Sequence, residues 1–245
     1  MHAQAFCRET WGWGVRNKRV GLQEAVGVIA ILRLPSADVL VLSAEAIREG
    51  GVSVIEVSPV PPGALQALGP ARVKLGPGVL LGVGPVLTPQ AARDSIRAGA
   101  AFVAAPNLNP KVIRVCREAC VAVIPGAFTV TEIVQAWDLG ASLVKILPAG
   151  PAGAGYVKEI LFALPDLRLV PAGDIRLEDV GDFIRAGAAA VEVGREMLSE
   201  DLLARRETSE ITRRVSAFVE TVRRARGQMA RPVQPVRPVE GPDVR

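Results

Sequence analysis

The sequence places one lysine inside an apolar segment, Ala141–Ala149, in which Lys145 is the only charged residue. A short apolar run of this kind predicts a buried strand. Burial removes water from the ammonium group, which lowers the pKa of a lysine and makes its amine a nucleophile. Such lysines form Schiff bases with carbonyl substrates. Two structural alternatives stay open: Lys145 could reach water from a strand end, or it could be half of a buried ion pair.

Three more charged residues interrupt segments that predict strands: Arg33, Glu56 and Glu192. A lysine, a carboxylate and an arginine together suit carbinolamine chemistry. In that chemistry the lysine attacks a ketone, the carboxylate moves protons and the arginine binds a substrate carboxylate. A network that only balanced charge would gain little stability, because buried ion pairs roughly break even. The period of two along a strand leaves open whether Glu192 points inward or outward.

Short β-branched segments alternate with amphipathic ones from residue 28 onward. The predicted strands are Val28–Arg33, Val54–Val57, Leu80–Val83, Phe102–Ala105, Ala122–Ile124, Leu143–Ile146, Leu167–Pro171 and Ala190–Val193. A helix is predicted after each strand, and the last of these runs from Glu196 to Arg226. Alternation predicts an α/β protein with a parallel sheet, and eight units predict a single (β/α)8 TIM barrel. The active site of such a barrel lies at the C-terminal ends of the strands.

The chain of 245 residues has the length of one such barrel. We expect the barrel at residues 21–226, preceded by an N-terminal extension at 1–20. The Pro/Arg-rich segment 227–245 combines four prolines with scattered charges and predicts a disordered tail.

Composition excludes several functional classes. The net charge is only +4, and no basic stripe with interleaved aromatic residues predicts nucleic-acid binding. The single histidine, His2, lies in the extension, which excludes histidine-dependent triads and histidine-ligated zinc in the folded body. Three cysteines form no disulfide framework and indicate a reducing compartment. No apolar run is long enough to span a membrane or resembles a signal peptide, so we expect a cytoplasmic protein without membrane partners.

At the residues described above, the chain resembles the class I 2-keto-3-deoxy-6-phosphogluconate / 4-hydroxy-2-oxoglutarate aldolases, in particular their galactonate-type branch. The resemblance runs from about Val28 to Leu198. The segments that carry it are Ile29–Arg33, Val54–Val57, Pro106-Asn107, Ile124–Gly126 and Val144–Ala149. It implies a lysine-dependent barrel, assembled as a homotrimer, that cleaves 2-keto-3-deoxy acids to pyruvate and an aldehyde. It implies no metal or organic cofactor.

The resemblance also implies roles for individual residues. Lys145 would be the Schiff-base nucleophile, Glu56 the acid/base that acts through the carbinolamine water, and Arg33 a ligand of the substrate carboxylate. The other expected substrate-binding residues are Gly84, Pro106, Gly173, Asp174, Gly194 and Arg195.

The chain departs from the family pattern at several positions. Pro85 stands where the family usually has a threonine, and Val60 stands where some members have a carboxylate-binding arginine. Asp174 replaces one glycine of the Gly-Gly pair that faces the substrate phosphate, and Arg195 follows Gly194 where serine is common. A carboxylate at that place is unfavourable for a bound anion.

These substitutions allow two hypotheses about the distal end of the substrate. Asp174 and Arg195 could pair and fill the pocket, so that a phosphorylated substrate binds poorly. Alternatively, Arg195 could bind the phosphate while Asp174 faces the solvent.

The predicted function is that of a class I aldolase, a lyase that makes or breaks a C–C bond with pyruvate as one partner and an aldehyde as the other. Two alternatives remain. One is a barrel that has lost turnover and serves as a binding or structural protein, which a sealed pocket would favour. The other is a different lyase or decarboxylase that uses the same imine, because barrels host many chemistries.

Overall fold

The computed structural model describes residues 27–34 and 36–229. The predicted extension, 1–20, and nearly all of the predicted tail, 227–245, lie outside these ranges. Among the described residues, no helix is both long and apolar enough to span a membrane.

The described chain alternates between short strands and helices. The strands are β1 Val28–Leu32, β2 Val54–Val57, β3 Leu80–Val83, β4 Phe102–Ala104, β5 Ala122–Ile124, β6 Gly126–Ala127, β7 Val144–Ile146, β8 Leu169–Pro171 and β9 Val191–Val193. The helices are α1 Leu40–Glu49, α2 Ala64–Leu75, α3 Pro89–Arg97, α4 Pro110–Glu118, α5 Val130–Asp138, α6 Gly153–Ala163, α7 Leu177–Arg185, α8 Glu200–Ala204 and α9 Thr208–Gln228, with a 3-10 turn at Ala37–Val39. The predicted α/β class is confirmed.

Every pair of neighbouring strands is parallel, and six of the strands form one sheet in the order β5-β4-β3-β2-β1-β9. The first and last described strands are neighbours in it, so this sheet curls into a half-barrel. A second sheet has the order β6-β7-β8. Pro125 separates β5 from β6, and proline has no N–H to donate to a strand ladder. The structure shows two sheets where we predicted a continuous eight-stranded ladder, and Pro125 lies at one of the two breaks between them.

The two sheets approach each other at both junctions. At one, the backbone N–H of Ser142 donates to the carbonyl of Val123 over 2.9 Å. At the other, Ala172 and Glu192 form an isolated parallel bridge.

Side chains of the strands separate into two apolar clusters, as the period of two requires. The outer cluster lies between the strands and the helices and includes Val28, Ala30 and Leu32 of β1. The inner cluster is lined by alternating residues of both sheets: Ile29, Val54, Phe102, Ala104, Ala122, Ile124, Leu143, Val170 and Ala190. A side chain two positions after an inner residue also points inward. The buried charged side chains occupy such positions.

The predicted final helix, Glu196–Arg226, is wrong in its bounds. The chain forms two helices there, because Arg206 adopts a positive φ of 57° between α8 and α9. A residue in this left-handed conformation cannot continue a helix. The second helix extends to Gln228, so the start of the predicted tail is helical.

Candidate active site

Lys145 lies in the middle of β7 with its side chain only 6% exposed. It follows Leu143, an inner residue, by two positions and therefore points inward. Its Nζ donates hydrogen bonds to Glu56 Oε2 over 3.0 Å and to Glu192 Oε1 over 2.8 Å. The strand-end alternative, in which Lys145 reaches water, is wrong, and the ion-pair contact is present.

The two carboxylates reach the lysine from the other sheet. Glu56 follows the inner residue Val54 on β2, and Glu192 follows the inner residue Ala190 on β9. Both side chains are almost completely buried. The open question about Glu192 is therefore answered: it points inward.

The charge state of Lys145 differs from our expectation. Burial by itself would lower the pKa of Lys145, but the negative charges and hydrogen bonds of Glu192 and Glu56 outweigh burial and raise it above the ordinary lysine value. The predicted lowered pKa is therefore wrong, and Lys145 is an ammonium ion. A buried carboxylate next to an amine favours the charged, ammonium form of that amine.

The two glutamates differ from each other. Burial would raise the pKa of Glu56, but the positive charge of Lys145 and the hydrogen bond from its Nζ bring that pKa below the usual range, and the charge of Arg33 acts in the same direction. Burial raises the pKa of Glu192 well above its usual range, and the neighbouring charge of Glu56 raises it further. Two carboxylates in one buried place cannot both ionise easily. Glu56 therefore carries the negative charge and Glu192 the proton.

An open cleft of about 490 Å³ lies at the C-terminal ends of β1, β8 and β9 and extends down to Glu192. This is the end of the strands at which barrel enzymes carry their active sites. The cleft brings together five of the predicted substrate-binding residues: Arg33, Gly173, Asp174, Gly194 and Arg195. Of the lysine cluster, Glu192 lines this cleft, and Glu192 contacts Lys145.

The two other predicted residues, Gly84 and Pro106, lie next to Glu56 and next to the strand partner of Lys145. A Cβ atom at Gly84 would lie 2.3 Å from Glu56 Oε1, so only glycine leaves room for the carboxylate there. Pro106 places its carbonyl oxygen against Gly126, which is the β6 partner of Lys145 in the strand register.

The hypothesis that Asp174 and Arg195 pair is wrong. Within residues 27–34 and 36–229, no ion pair joins Asp174 to Arg195. Both side chains are exposed. Asp174 has a positive φ of 54°. Before it, a Cβ atom at Gly173 would lie 2.8 Å from the side chain of Leu147.

Glu192 is the site residue that sequence reasoning named but did not include in the predicted site. The available signal was the alternation on β9. Ala190 precedes Glu192 by two positions and is small and apolar, as expected for an inner residue.

Comparison with known proteins identifies the family. A sequence model described as "Aldolase: KDPG and KHG aldolase" matches residues 21–214. The chain belongs to this family. It is thus an aldolase, a lyase, as the resemblance predicted.

Individual relatives agree with this assignment. The 2-dehydro-3-deoxy-phosphogluconate aldolase of Treponema pallidum (strain Nichols) is 33% identical over 191 residues, which is 77% of this chain and 90% of that protein. The 2-dehydro-3-deoxy-6-phosphogalactonate aldolase of Escherichia coli (strain K12) is 28% identical over 82% of this chain and 98% of its own length.

Solved structures give the same result. The native KDPGal structure superposes with a TM-score of 0.76 and 27% identity, covering 82% of this chain and 96% of its own. The KDPG aldolase of Legionella pneumophila superposes with a TM-score of 0.75 and 26% identity, covering 82% and 97%. That enzyme was captured with pyruvate as a covalent carbinolamine intermediate.

Proposed function

We propose that this aldolase works through an imine between Lys145 and pyruvate, and that it cleaves or forms 2-keto-3-deoxy or 4-hydroxy-2-oxo acids. The observation that carries the proposal is the buried Nζ of Lys145, held between Glu56 and Glu192 below an open cleft. The covalent carbinolamine in the Legionella pneumophila relative supports the same chemistry.

Glu56 is the proton acceptor in this proposal. It is the ionised carboxylate of the cluster and contacts Nζ directly, so it can remove the ammonium proton and free the lone pair for attack. In the iminium that follows, the positive nitrogen accepts electrons as the C–C bond breaks. The same residue returns protons through the water that the carbinolamine releases.

Arg33 binds the carboxylate of the keto acid. It lines the cleft next to Glu192, and its charge is near enough to lower the pKa of Glu56. A guanidinium matches a carboxylate with two parallel hydrogen bonds. This contact orients the ketone carbon toward Lys145.

The distal end of the substrate lies at the rim formed by Gly173, Asp174, Gly194 and Arg195. Arg195 has no ion pair within the described part of the chain and is exposed beside the cleft, which favours the hypothesis that it receives an anionic group such as phosphate. Turnover of phosphorylated and unphosphorylated 2-keto-3-deoxy acids tests this. We expect a preference for phosphate that Arg195→Ala removes and that Arg223→Ala, an exposed arginine of α9, keeps. Equal turnover of both substrates would contradict it.

The wider organisation is part of the proposal. The two sheets would be arcs of one closed (β/α)8 barrel at residues 21–226, supported by the Ser142–Val123 hydrogen bond and the Ala172–Glu192 bridge at the junctions. Residues 1–20 would be an extension and 227–245 a tail. From the family resemblance we also propose a cytoplasmic homotrimer that needs no metal or organic cofactor, which light scattering of the purified protein and assays in chelator would test.

The alternative of a silent barrel predicted a sealed site. The cleft is instead open and is lined by Glu192, the direct neighbour of Lys145. The geometry therefore favours turnover.

Borohydride trapping with pyruvate tests the proposed function. Reduction converts an imine into a stable secondary amine, and peptide mass spectrometry locates it. We expect the adduct on Lys145, its loss in Lys145→Ala, and its retention in Lys158→Ala, which removes an exposed lysine of α6. No adduct at saturating pyruvate, or an adduct on another lysine, would overturn the proposal.

A further inference from the structure

The two carboxyl oxygens of Glu192 have different surroundings. One carboxyl oxygen, Oε1, lies 2.8 Å from Lys145 Nζ. The other, Oε2, is buried and has no hydrogen-bond partner among the described residues. The side chain is 1% exposed, yet the residue is among those that line the open cleft. A buried polar atom without a partner is unfavourable, so this oxygen calls for a ligand.

We propose that Glu192 is a second catalytic acid, which protonates the carbonyl oxygen of the keto acid while Glu56 takes the proton of Lys145. The proposal rests on the proposed imine function. It assigns to two residues the acid and base roles that one carboxylate would otherwise perform in turn.

The geometry explains why two residues are useful. Both glutamates contact the same Nζ, at 3.0 Å and 2.8 Å. A carbonyl carbon that bonds to Nζ is therefore close to both carboxyl groups. Attack creates negative charge on the carbonyl oxygen at the moment when the base already holds the ammonium proton. A second donor protonates this oxygen while Glu56 keeps its proton for the later loss of water. The unpartnered Oε2 belongs to a residue that lines the cleft, and Glu192 can therefore be the proton donor to the carbonyl oxygen.

Atoms and charges balance over the step. Glu56 takes a proton from the ammonium, and the freed lone pair forms the C–N bond while the carbonyl π electrons move to oxygen. Glu192 gives its proton to that oxygen and recovers one from the new secondary ammonium, which leaves a neutral carbinolamine. Glu56 then protonates the carbinolamine hydroxyl, water leaves, and the nitrogen lone pair forms the iminium. Both carboxyl groups end in their starting protonation states.

The surroundings agree with an acid at this position. The raised pKa of Glu192 keeps it protonated where Glu56 is ionised. The titratable and charged groups around the cleft come from each neighbouring element: Arg33 after β1, Glu56 on β2, Lys145 on β7, Asp174 and Arg176 after β8, and Arg195 and Glu196 after β9. Of these, Glu56 and Lys145 are the buried ones, so they govern the proton on Glu192.

Exchange of the pyruvate methyl protons in deuterium oxide tests the inference, because it needs the imine and enamine but no aldehyde. NMR measures the rate across pH in the wild type and in Glu192→Gln, which keeps the shape but cannot transfer a proton. We expect the rate to fall about 10²-fold. The decline of the wild-type rate at high pH, where Glu192 loses its proton, should disappear in the variant.

Two further variants make the result decisive. Glu192→Asp keeps a titratable group and should keep the high-pH decline at a reduced rate, which also answers the question if Glu192→Gln fails to fold. Glu200→Gln, in the first turn of α8, should match the wild type.

Outcomes for the two proposals are distinguishable. A wild type that exchanges no protons and gives no borohydride adduct would overturn the proposed function. A wild type that exchanges, together with a Glu192→Gln variant that keeps either the wild-type rate or the high-pH decline, would overturn only the acid role of Glu192. The same applies if Glu192→Asp lacks the decline.

Discussion

Two neighbouring carboxyl groups determine the charge of Lys145, the proposed nucleophile. Lys145 is an ammonium ion between one ionised and one protonated carboxyl group, and all three side chains are buried. Activation does not require a lysine that is neutral at rest. It requires a base in contact that can take the proton when the substrate arrives, and Glu56 provides it at 3.0 Å.

Glu56→Gln should abolish proton removal from Lys145. The exchange rate of pyruvate methyl protons should fall by about 10²–10⁴-fold. In the wild type the pKa of Glu56 is held below its usual range, so activity should decline only when the pH falls through that low value. The decline at low pH should be absent from the variant. A wild-type rate at neutral pH would contradict the role of Glu56.

Lys145→Met should destabilise the fold in a pH-dependent way. Removal of the cation leaves the buried, ionised Glu56 without a counter-charge, which costs about 3–5 kcal/mol of unfolding free energy. Without the lysine, the pKa of Glu56 in the folded state rises above the unfolded value. Stability is then fully present below the unfolded pKa and is lost as the pH rises.

Urea unfolding at pH 5 and pH 8 measures this effect. The loss relative to the wild type should be larger at pH 8. Addition of Glu56→Gln to Lys145→Met should recover part of it, since that change removes the unpaired charge. Equal losses at both pH values would show that packing alone is responsible.

At the scale of the elements, the strands place the chemistry by alternation. Each buried charged residue of these strands follows an apolar inner residue by two positions. Glu56 follows Val54 on β2, and Lys145 on β7 follows Leu143, which lies just before that strand. Glycine then provides the space that a carboxylate needs in a crowded interior. Gly84, immediately after β3, is in contact with Glu56 in this way.

Gly84→Ala should displace the Glu56 carboxylate, because the new Cβ would lie 2.3 Å from Oε1 and 3.0 Å from the Cβ of Ala104. A displacement of about 1 Å in a catalytic group lowers rates by about 10²-fold. Borohydride trapping rates with pyruvate measure it. Gly78→Ala is the matched control, since nothing lies within 4 Å of its Cβ position. Equal rates for the two variants would exclude the steric argument.

At the scale of the whole molecule, the site spans the two sheets. Lys145 belongs to the three-stranded sheet, and Glu56 and Glu192 belong to the six-stranded one. Their separation therefore depends on the junctions between the sheets. At one of them Ser142 donates its backbone N–H to Val123, and its hydroxyl accepts the Val123 N–H over 3.3 Å.

Ser142→Ala should leave the buried N–H of Val123 without its acceptor. The expected loss is about 1–3 kcal/mol of unfolding free energy, measured by urea unfolding. Thr221→Ala, whose hydroxyl donates to Ala217 within α9, is the control and should lose less. A loss in Ser142→Ala no larger than in the control would mean that this junction contributes little to stability.

The sequence by itself determined the α/β class, most strand positions, the aldolase family and the choice of Lys145 and Glu56. The class and the strand positions follow from local apolar patterns, and the two residues from charged types that are rare in buried strands. The family follows from the resemblance of its motifs. The division of the strands into two sheets could not be predicted from the sequence. At one of the breaks, Pro125 interrupts the strand without interrupting the apolar pattern.

Only the tertiary structure decided the direction of Glu192 and the charge state of Lys145. A period of two defines two faces of a strand but does not say which face is inside. The pKa of Lys145 depends on carboxylates that are 89 and 47 residues away in the chain and 3.0 Å and 2.8 Å away in space. Burial can be predicted from local sequence, whereas the Coulomb interaction that outweighs it arises only when distant strands meet.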